Sequence, residues 1–120
     1  MDAQERIELI KQNTEEIVTE KELEELLEKK KKPVAYCGYE LSGAVHLGHL
    51  VTLTKLSDLE KAGCKIKILL ADVHSALNRK GSEEEIKKEE IRWRKTISAL
   101  GMKAEIVLGS EFQFTKEYQI

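Results

Sequence analysis

Proline and cysteine are scarce in these 120 residues, with one proline and two cysteines. A single proline excludes a proline-rich linker. Cys37 and Cys64 form neither a CxxC pair nor a disulfide framework, which fits a reducing compartment. Aromatic residues make up only 5% of the chain. No run of roughly eighteen uncharged apolar residues occurs, and the opening MDAQERIELIKQN is charged and amphipathic rather than a secretory leader. The chain is therefore expected to be soluble and cytoplasmic, with no membrane partner. An excess of one charge is also missing: 20 Lys+Arg stand against 22 Asp+Glu, a formal net charge of -2. A dedicated polyanion binder carries a strong basic excess, so that class is disfavoured, while a local basic patch stays open. Neither GxGxxG nor GxxxxGK[ST] occurs, and the two common glycine-loop phosphate sites are not offered. What is present is 41% hydrophobic residues, enough at this length for one core.

The first 32 residues are charged and helical, with Ile7, Leu9, Ile10, Ile17, Leu23, Leu26 and Leu27 at helical spacing. Asp2 with Glu5, and Thr19 with Glu22, each fit a capping box, which predicts two helices joined across 13–19. The Lys29 to Lys32 run reads as an exposed helix end complementing the macrodipole, although it has the charge to touch a phosphate backbone. From Pro33 the pattern changes. Val34 to Cys37 reads as a buried strand ending at Gly38, and a loop from Tyr39 to Val45 leads to a helix from about His46 to Lys61. Leu47, Leu50, Leu53, Leu56 and Leu59 are expected on its inner side, with Gly63 as its stop. Ile66 to Ala71 is a second strand, whose near-continuous apolar character predicts burial on both sheet faces. A loop with a short helix spans Asp72 to Lys80. Ser82 and Glu85 then cap a helix ending at Gly101, Ala104 to Leu108 is a third strand, and Gly109 to Phe114 is its exit loop. A further helix begins near Thr115.

Strands alternating with helices predict a parallel, doubly wound α/β layer: a helical segment at 1–32 and a sheet domain at 33–120. Ligands of such sheets bind at the carboxyl ends of the strands. At the first strand-to-helix junction stand Gly38, Gly43 and then His46-Leu47-Gly48-His49. Two histidines three apart share a helix face, and here they meet free backbone N–H groups and the positive dipole end. Imidazole donors there can strengthen their hydrogen bonds as a phosphate gains charge. Gly48 leaves room for a flat ring against the backbone. The set suits a nucleoside triphosphate. A metal site would need more ligands, and Cys37, Cys64 and His74 show no such spacing.

His46-Leu47-Gly48-His49 matches the HIGH motif of class I aminoacyl-tRNA synthetases. The segment from Ala35 to His49, the stretch Ile68-Leu69-Leu70-Ala71-Asp72-Val73-His74-Ser75-Ala76-Leu77-Asn78, and Gly109-Ser110-Glu111-Phe112-Gln113 together resemble the tyrosyl-tRNA synthetases of archaeal and eukaryotic type. The resemblance covers nearly the whole chain and implies the first half of a Rossmann-like catalytic domain. It implies that His46 and His49 contact the ATP phosphates, with Gly43 nearby and Gly48 beneath adenine, and that Mg2+ accompanies ATP. For L-tyrosine it implies that Tyr36 meets the substrate phenol, Gly38 admits the substrate close to the backbone, and Glu40 orients its polar groups. Leu69 and Ala71 would line the aromatic slot, with His74 beside it and Phe112, Gln113 and Tyr118 as a further wall. For Tyr36, Leu69, Ala71 and Phe112 a plain packing role is the alternative. Asp72 reads as a loop or helix-cap carboxylate, and Trp93, beside Arg92, Arg94 and Lys95, as helix packing rather than a stacking platform.

Two departures from the family pattern stand out. Leu41 occupies a position where proline is usual, which should leave that loop freer in the unfolded ensemble at a cost under about 1 kcal/mol. The resemblance also implies a KMSKS loop, an acidic partner for the phenol and a tRNA-reading domain, none of which lies within these residues. The chain is accordingly expected to be the amino-terminal portion of a tyrosine-tRNA ligase, with tRNA-Tyr as a partner of the parent and room for a parental homodimer. The alternatives are a module inactive without a second half, or a small HIGH-type nucleotidyltransferase.

Overall fold

The structure, a computed structural model, describes residues 1–41, 47–77 and 82–119, the side chains of His74 and Gln119 excepted. Helix α1 (Ala3–Lys11) opens on a complete capping box, in which Asp2 Oδ1 accepts the Glu5 N–H and Glu5 Oε2 accepts the Asp2 N–H, both at 2.8 Å. Helix α2 (Glu20–Lys29) opens on Thr19, whose side chain accepts the Glu22 N–H. Strand β1 (Val34–Glu40), helix α3 (Leu47–Lys61) and strand β2 (Lys65–Ala71) follow, and then the short helix α4 (Asp72–Leu77). Ser82 caps α5 (Glu83–Ala99) through the Glu85 N–H. Strand β3 (Glu105–Leu108), a 3-10 turn at Gly109–Glu111 and α6 (Lys116–Gln119) complete the order. Gly63 and Gly101 end α3 and α5 at φ +97° and +74°, backbone that a Cβ disfavours.

The three strands form one parallel sheet in the order β1-β2-β3. Gly38 pairs with Leu69 and Glu40 with Ala71, while Leu70 pairs with Leu108. Strand β1 therefore runs two residues past the expected end at Gly38. Gly38 is tolerated because β2 supplies a partner along the whole strand. Ile66, Ile68 and Leu70 are buried and share one core with Leu53 and Leu56 of α3 and Ile86, Trp93 and Ile97 of α5. Both crossover helices thus cover the same sheet face. Within these residues the expected doubly wound layer is covered on that face only, and the burial of β2 on both faces does not hold. Lys65 is exposed and Lys67, Leu69 and Ala71 are half-buried on the opposite face, so the strand alternates as a one-sided sheet does.

The leucine stripe of α3 is also narrower than expected. Residues spaced by three drift about 60° per step around a helix of 3.6 residues per turn, so five of them cannot share one side. Leu53 and Leu56 are buried, Leu50 and Leu59 are half-buried, and Leu47 is 79% exposed. Leu41, in the loop that follows β1, is buried in the core. Its N–H donates to the buried Ser75 hydroxyl at 2.8 Å, and that hydroxyl donates to the Ala71 carbonyl at 2.7 Å. A proline has no N–H to give there.

The amino-terminal helices share a second small core, Ile7, Ile10 and Leu27 with Ala62, and Leu59 packs against it. Two cations tie this segment to α3 by capping carbonyls at helix ends. Arg6 Nε donates to the Ala62 carbonyl at 2.6 Å and Arg6 Nη2 to the Lys31 carbonyl at 3.1 Å. Lys55 Nζ donates to the Gln12 carbonyl at 2.7 Å and the Leu9 carbonyl at 3.2 Å. Both use the carbonyls that a helix terminus leaves unpaired.

Candidate functional site

Alternation along β1 and β2 sorts the expected site residues. Tyr36, Gly38 and Glu40 fall on the uncovered sheet face, as do Leu69 and Ala71 from the adjacent strand. Tyr36 is 79% exposed, so its side chain is not a core aromatic. It stands in mid-strand opposite Lys67 rather than at the carboxyl end of β1, two residues before Gly38. A Cβ built on Gly38 would lie 3.6 Å from Leu69 Cδ2, an ordinary contact. The glycine therefore keeps open a shallow space floored by Leu69.

His49 lies elsewhere, in the first turn of α3, with its ring turned toward the covered face. Its centroid is 4.8 Å from that of Trp93 and 6.2 Å from that of Tyr39, edge-on to both. The Tyr39 and Trp93 rings are themselves 4.6 Å apart. Tyr39 Oη and Thr52 Oγ1 are 2.7 Å apart, and Thr52 Oγ1 donates to the His49 carbonyl at 3.0 Å. With the Thr52 proton committed there, Tyr39 is the donor to Thr52. A relay of hydroxyls thus fastens the opening turn of α3 to the end of β1. Trp93, read from the sequence as packing, is fully buried, and its position under His49 had no signal in the local pattern. Gly48 is exposed in the same turn. Gly43 and His46 lie outside the described residues, as does the side chain of His74, whose backbone belongs to α4.

Burial of its phenol, with Cys37 beside it, pushes the Tyr39 pKa up to about 12, against the opposing Thr52 hydrogen bond. The folded protein holds this proton more tightly than the unfolded chain. The associated stability is complete below pH 10, the ordinary tyrosine value, and is lost as pH rises through about 12. In an alkaline absorbance titration, one tyrosine is expected to ionise near pH 12, and Tyr39→Phe should remove that step. If Tyr39→Phe leaves the titration unchanged, the burial assigned to this phenol is wrong. Burial likewise pushes the Cys64 thiol up, partly offset by the Arg6 guanidinium.

At the carboxyl ends of β2 and β3, Asp72 receives the Ser110 N–H on Oδ1 at 2.9 Å and the Ser110 hydroxyl on Oδ2 at 2.6 Å. Asp72 is thus a structural brace, as its sequence context suggested. A Cβ on Gly109 would collide with Gln113 Oε1 and lie 3.3 Å from Asp72 Oδ1. The glycine lets Gln113 fold back over the strand end. Phe112 and Tyr118 pack edge-on with centroids 5.3 Å apart, so these two members of the expected further wall do meet. Among the described residues no three of His, Cys, Asp and Glu gather as a metal site, and no helix is long and apolar enough to cross a membrane.

A family model for class I tRNA synthetases (W and Y) matches residues 27–119. The tyrosine-tRNA ligase of Methanosarcina mazei is 55% identical over 118 residues, covering 96% of this chain and 37% of that protein. The ligase of Archaeoglobus fulgidus is 50% identical over 121 residues, covering 98% of this chain and 38% of that protein. The crystal structure of tyrosyl-tRNA synthetase from Archaeoglobus fulgidus, complexed with L-tyrosine, matches with a TM-score of 0.92 at 50% identity, over 99% of this chain and 38% of that one. The chain thus spans little more than a third of the length of these relatives. Since the family model takes in nearly all of the sheet, its crossover helices and the strand ends, these 120 residues belong to the class I tRNA synthetases of the W and Y type.

Proposed function

We propose that this chain provides the tyrosine-facing wall and the ATP-phosphate edge of a tyrosine-activating site, as part of a tyrosine-tRNA ligase. The observation that carries the reading is the exposed Tyr36 phenol on the uncovered sheet face, with Gly38 and Leu69 leaving flat space beside it. An aromatic amino acid laid on that face would meet Leu69 and Ala71 through its ring and the Tyr36 hydroxyl through its own phenol. Tyrosine, rather than a purely apolar amino acid, satisfies that hydroxyl. Glu40 and His74 would orient polar substrate groups, and Phe112, Gln113 and Tyr118 would close the side near the end of β3.

In the reaction, the tyrosine carboxylate oxygen attacks the ATP α-phosphorus, the bond from that phosphorus to the β-bridging oxygen breaks, and pyrophosphate leaves. His46 and His49 would donate hydrogen bonds to the phosphates as negative charge builds up on them, with Gly43 and Gly48 allowing close approach of the nucleotide. Mg2+ would arrive with ATP as part of the substrate and offset its charge. Transfer of the tyrosyl group to tRNA-Tyr would follow.

Pyrophosphate exchange into ATP tests this on the chain alone and on the chain joined to the remaining segment of the Methanosarcina mazei relative. Tyrosine-dependent exchange is expected to be weak in the first, where the triphosphate is held from one side, and robust in the second. It should fall by about 100-fold on His49→Ala, the scale of one lost donor to a developing oxyanion. A folded joined protein without tyrosine-dependent exchange would sink the proposal.

A further inference from the structure

Strand β1 divides its last residues between two faces. Gly38 and Glu40 lie on the uncovered face, while Tyr39, between them, is half-buried and packs against the core under the covered one. There its ring sits 4.6 Å from that of Trp93 and 6.2 Å from that of His49, centroid to centroid. Its hydroxyl meets Thr52 Oγ1 at 2.7 Å, and Thr52 Oγ1 donates to the His49 carbonyl at 3.0 Å. Tyr39 thus reaches His49 through its ring, through their common neighbour Trp93, and through a hydroxyl chain to the backbone.

Packing alone does not ask for the phenolic oxygen, since phenylalanine would make the same ring contacts. A buried hydroxyl costs free energy unless it is hydrogen-bonded. Threonine in a helix commonly donates to a carbonyl one turn back, which leaves its oxygen free to accept. The Tyr39 proton takes that place and joins β1 to α3. His49 is the third residue of α3, in a first turn that frays unless something outside the helix holds it. The bond between strand and helix supplies that hold.

We propose that Tyr39 is a positioning residue that fixes His49 relative to the amino-acid wall carried by the other face of the same strand. The inference rests on the tyrosine-activating reading above and deepens it. Adenylate formation needs the tyrosine carboxylate and the ATP α-phosphorus in near-attack geometry, where a misplacement of about 1 Å costs about 100-fold in rate. Gly38 and Glu40 would set the amino acid and His49 the phosphates, and Tyr39 ties the backbone of the first pair to the turn that bears the histidine. Binding of either substrate by itself does not need that registration. The contribution of Tyr39 therefore belongs to kcat and not to KM.

The test is steady-state pyrophosphate exchange in the joined protein with Tyr39→Phe, which keeps the ring and removes the link. Its kcat should fall by about 10-fold, less than the about 100-fold of His49→Ala, with KM for tyrosine within about 2-fold of the parent. In the His49→Ala background, Tyr39→Phe should change kcat by less than about 2-fold, because a residue that acts through His49 has nothing left to act on. A purely structural role would lower kcat equally in both backgrounds. NMR of the 120-residue chain gives a readout without activity: Tyr39→Phe should move the His49 ring resonances and leave the amides of α1 and β3 in place. An unchanged kcat, equal losses in both backgrounds, or His49 resonances at their parental shifts would overturn the proposal. A joined parent without tyrosine-dependent exchange sinks the ligase reading instead, and the ring resonances then decide the role of Tyr39.

Discussion

Trp93→Ala should destabilise the chain by about 3–5 kcal/mol, the range for removing a fully buried large aromatic. That is a large part of the about 5–15 kcal/mol that holds an ordinary domain together, and it should lower the melting temperature by on the order of 10–20 °C. The indole is fully buried and touches the rings of both Tyr39 and His49. Its truncation removes core packing and the platform beneath the histidine together. Trp93→Phe separates these effects. Among the described residues the buried Trp93 Nε1 has no hydrogen-bond acceptor, and losing an unsatisfied N–H recovers part of a desolvation cost of about 1–3 kcal/mol. The phenylalanine variant should therefore melt much closer to the parent and keep the His49 side-chain resonances near their parental shifts, while the alanine variant moves them. Trp93 is the only tryptophan in the chain, so its emission also reports directly on core integrity. An alanine variant as stable as the parent would mean that the three rings do not form the packed unit described.

Tyr36→Phe should have the opposite profile. A residue that is 79% exposed on an uncovered face contributes little to folding, and its substitution should change stability by no more than about 0.5 kcal/mol. On the proposed reading, removing the Tyr36 hydroxyl would leave the substrate phenol without its partner in the closed site, at about 1–3 kcal/mol. Tyrosine affinity in the joined protein should fall by about 10-fold or more, and the preference for tyrosine over phenylalanine should shrink by the same factor. Calorimetry with both amino acids reads this directly. A variant that loses tyrosine and phenylalanine equally, or neither, would place the phenol outside the pocket.

Most of the element order was legible because its signals are local. The Asp2, Thr19 and Ser82 caps each sit three residues before their glutamates, and Gly63 and Gly101 stop helices at positive φ as their positions suggest. The candidate tyrosine-site residues Tyr36, Gly38, Leu69 and Ala71 came from the family resemblance, while their sharing of one face, which follows from period-two alternation, was hidden by the near-continuous apolar character of β2. What escaped the sequence depends on partners far along the chain. The Leu41 N–H meets Ser75, Arg6 meets Ala62, and Lys55 meets Gln12, and no periodicity encodes such pairings. The stacking of His49 on Trp93 joins α3 to α5 across an entire strand, so the histidine could be assigned a chemical role but not its support. The error over Leu47 has a simpler cause. A strict spacing of three was read as one face, although it winds around the helix.

The central claim is that the uncovered face of the sheet is a tyrosine-binding wall. Its most direct test is a two-dimensional amide NMR titration of the chain with millimolar L-tyrosine, a range that detects weak binding. The account predicts shifts concentrated at Gly38, Glu40, Leu69 and Ala71, with α1 and α2 unmoved. Shifts confined to α1 and α2 or to the exposed Leu47 and Val51 surface, or a spectrum unchanged at saturating tyrosine, would contradict it.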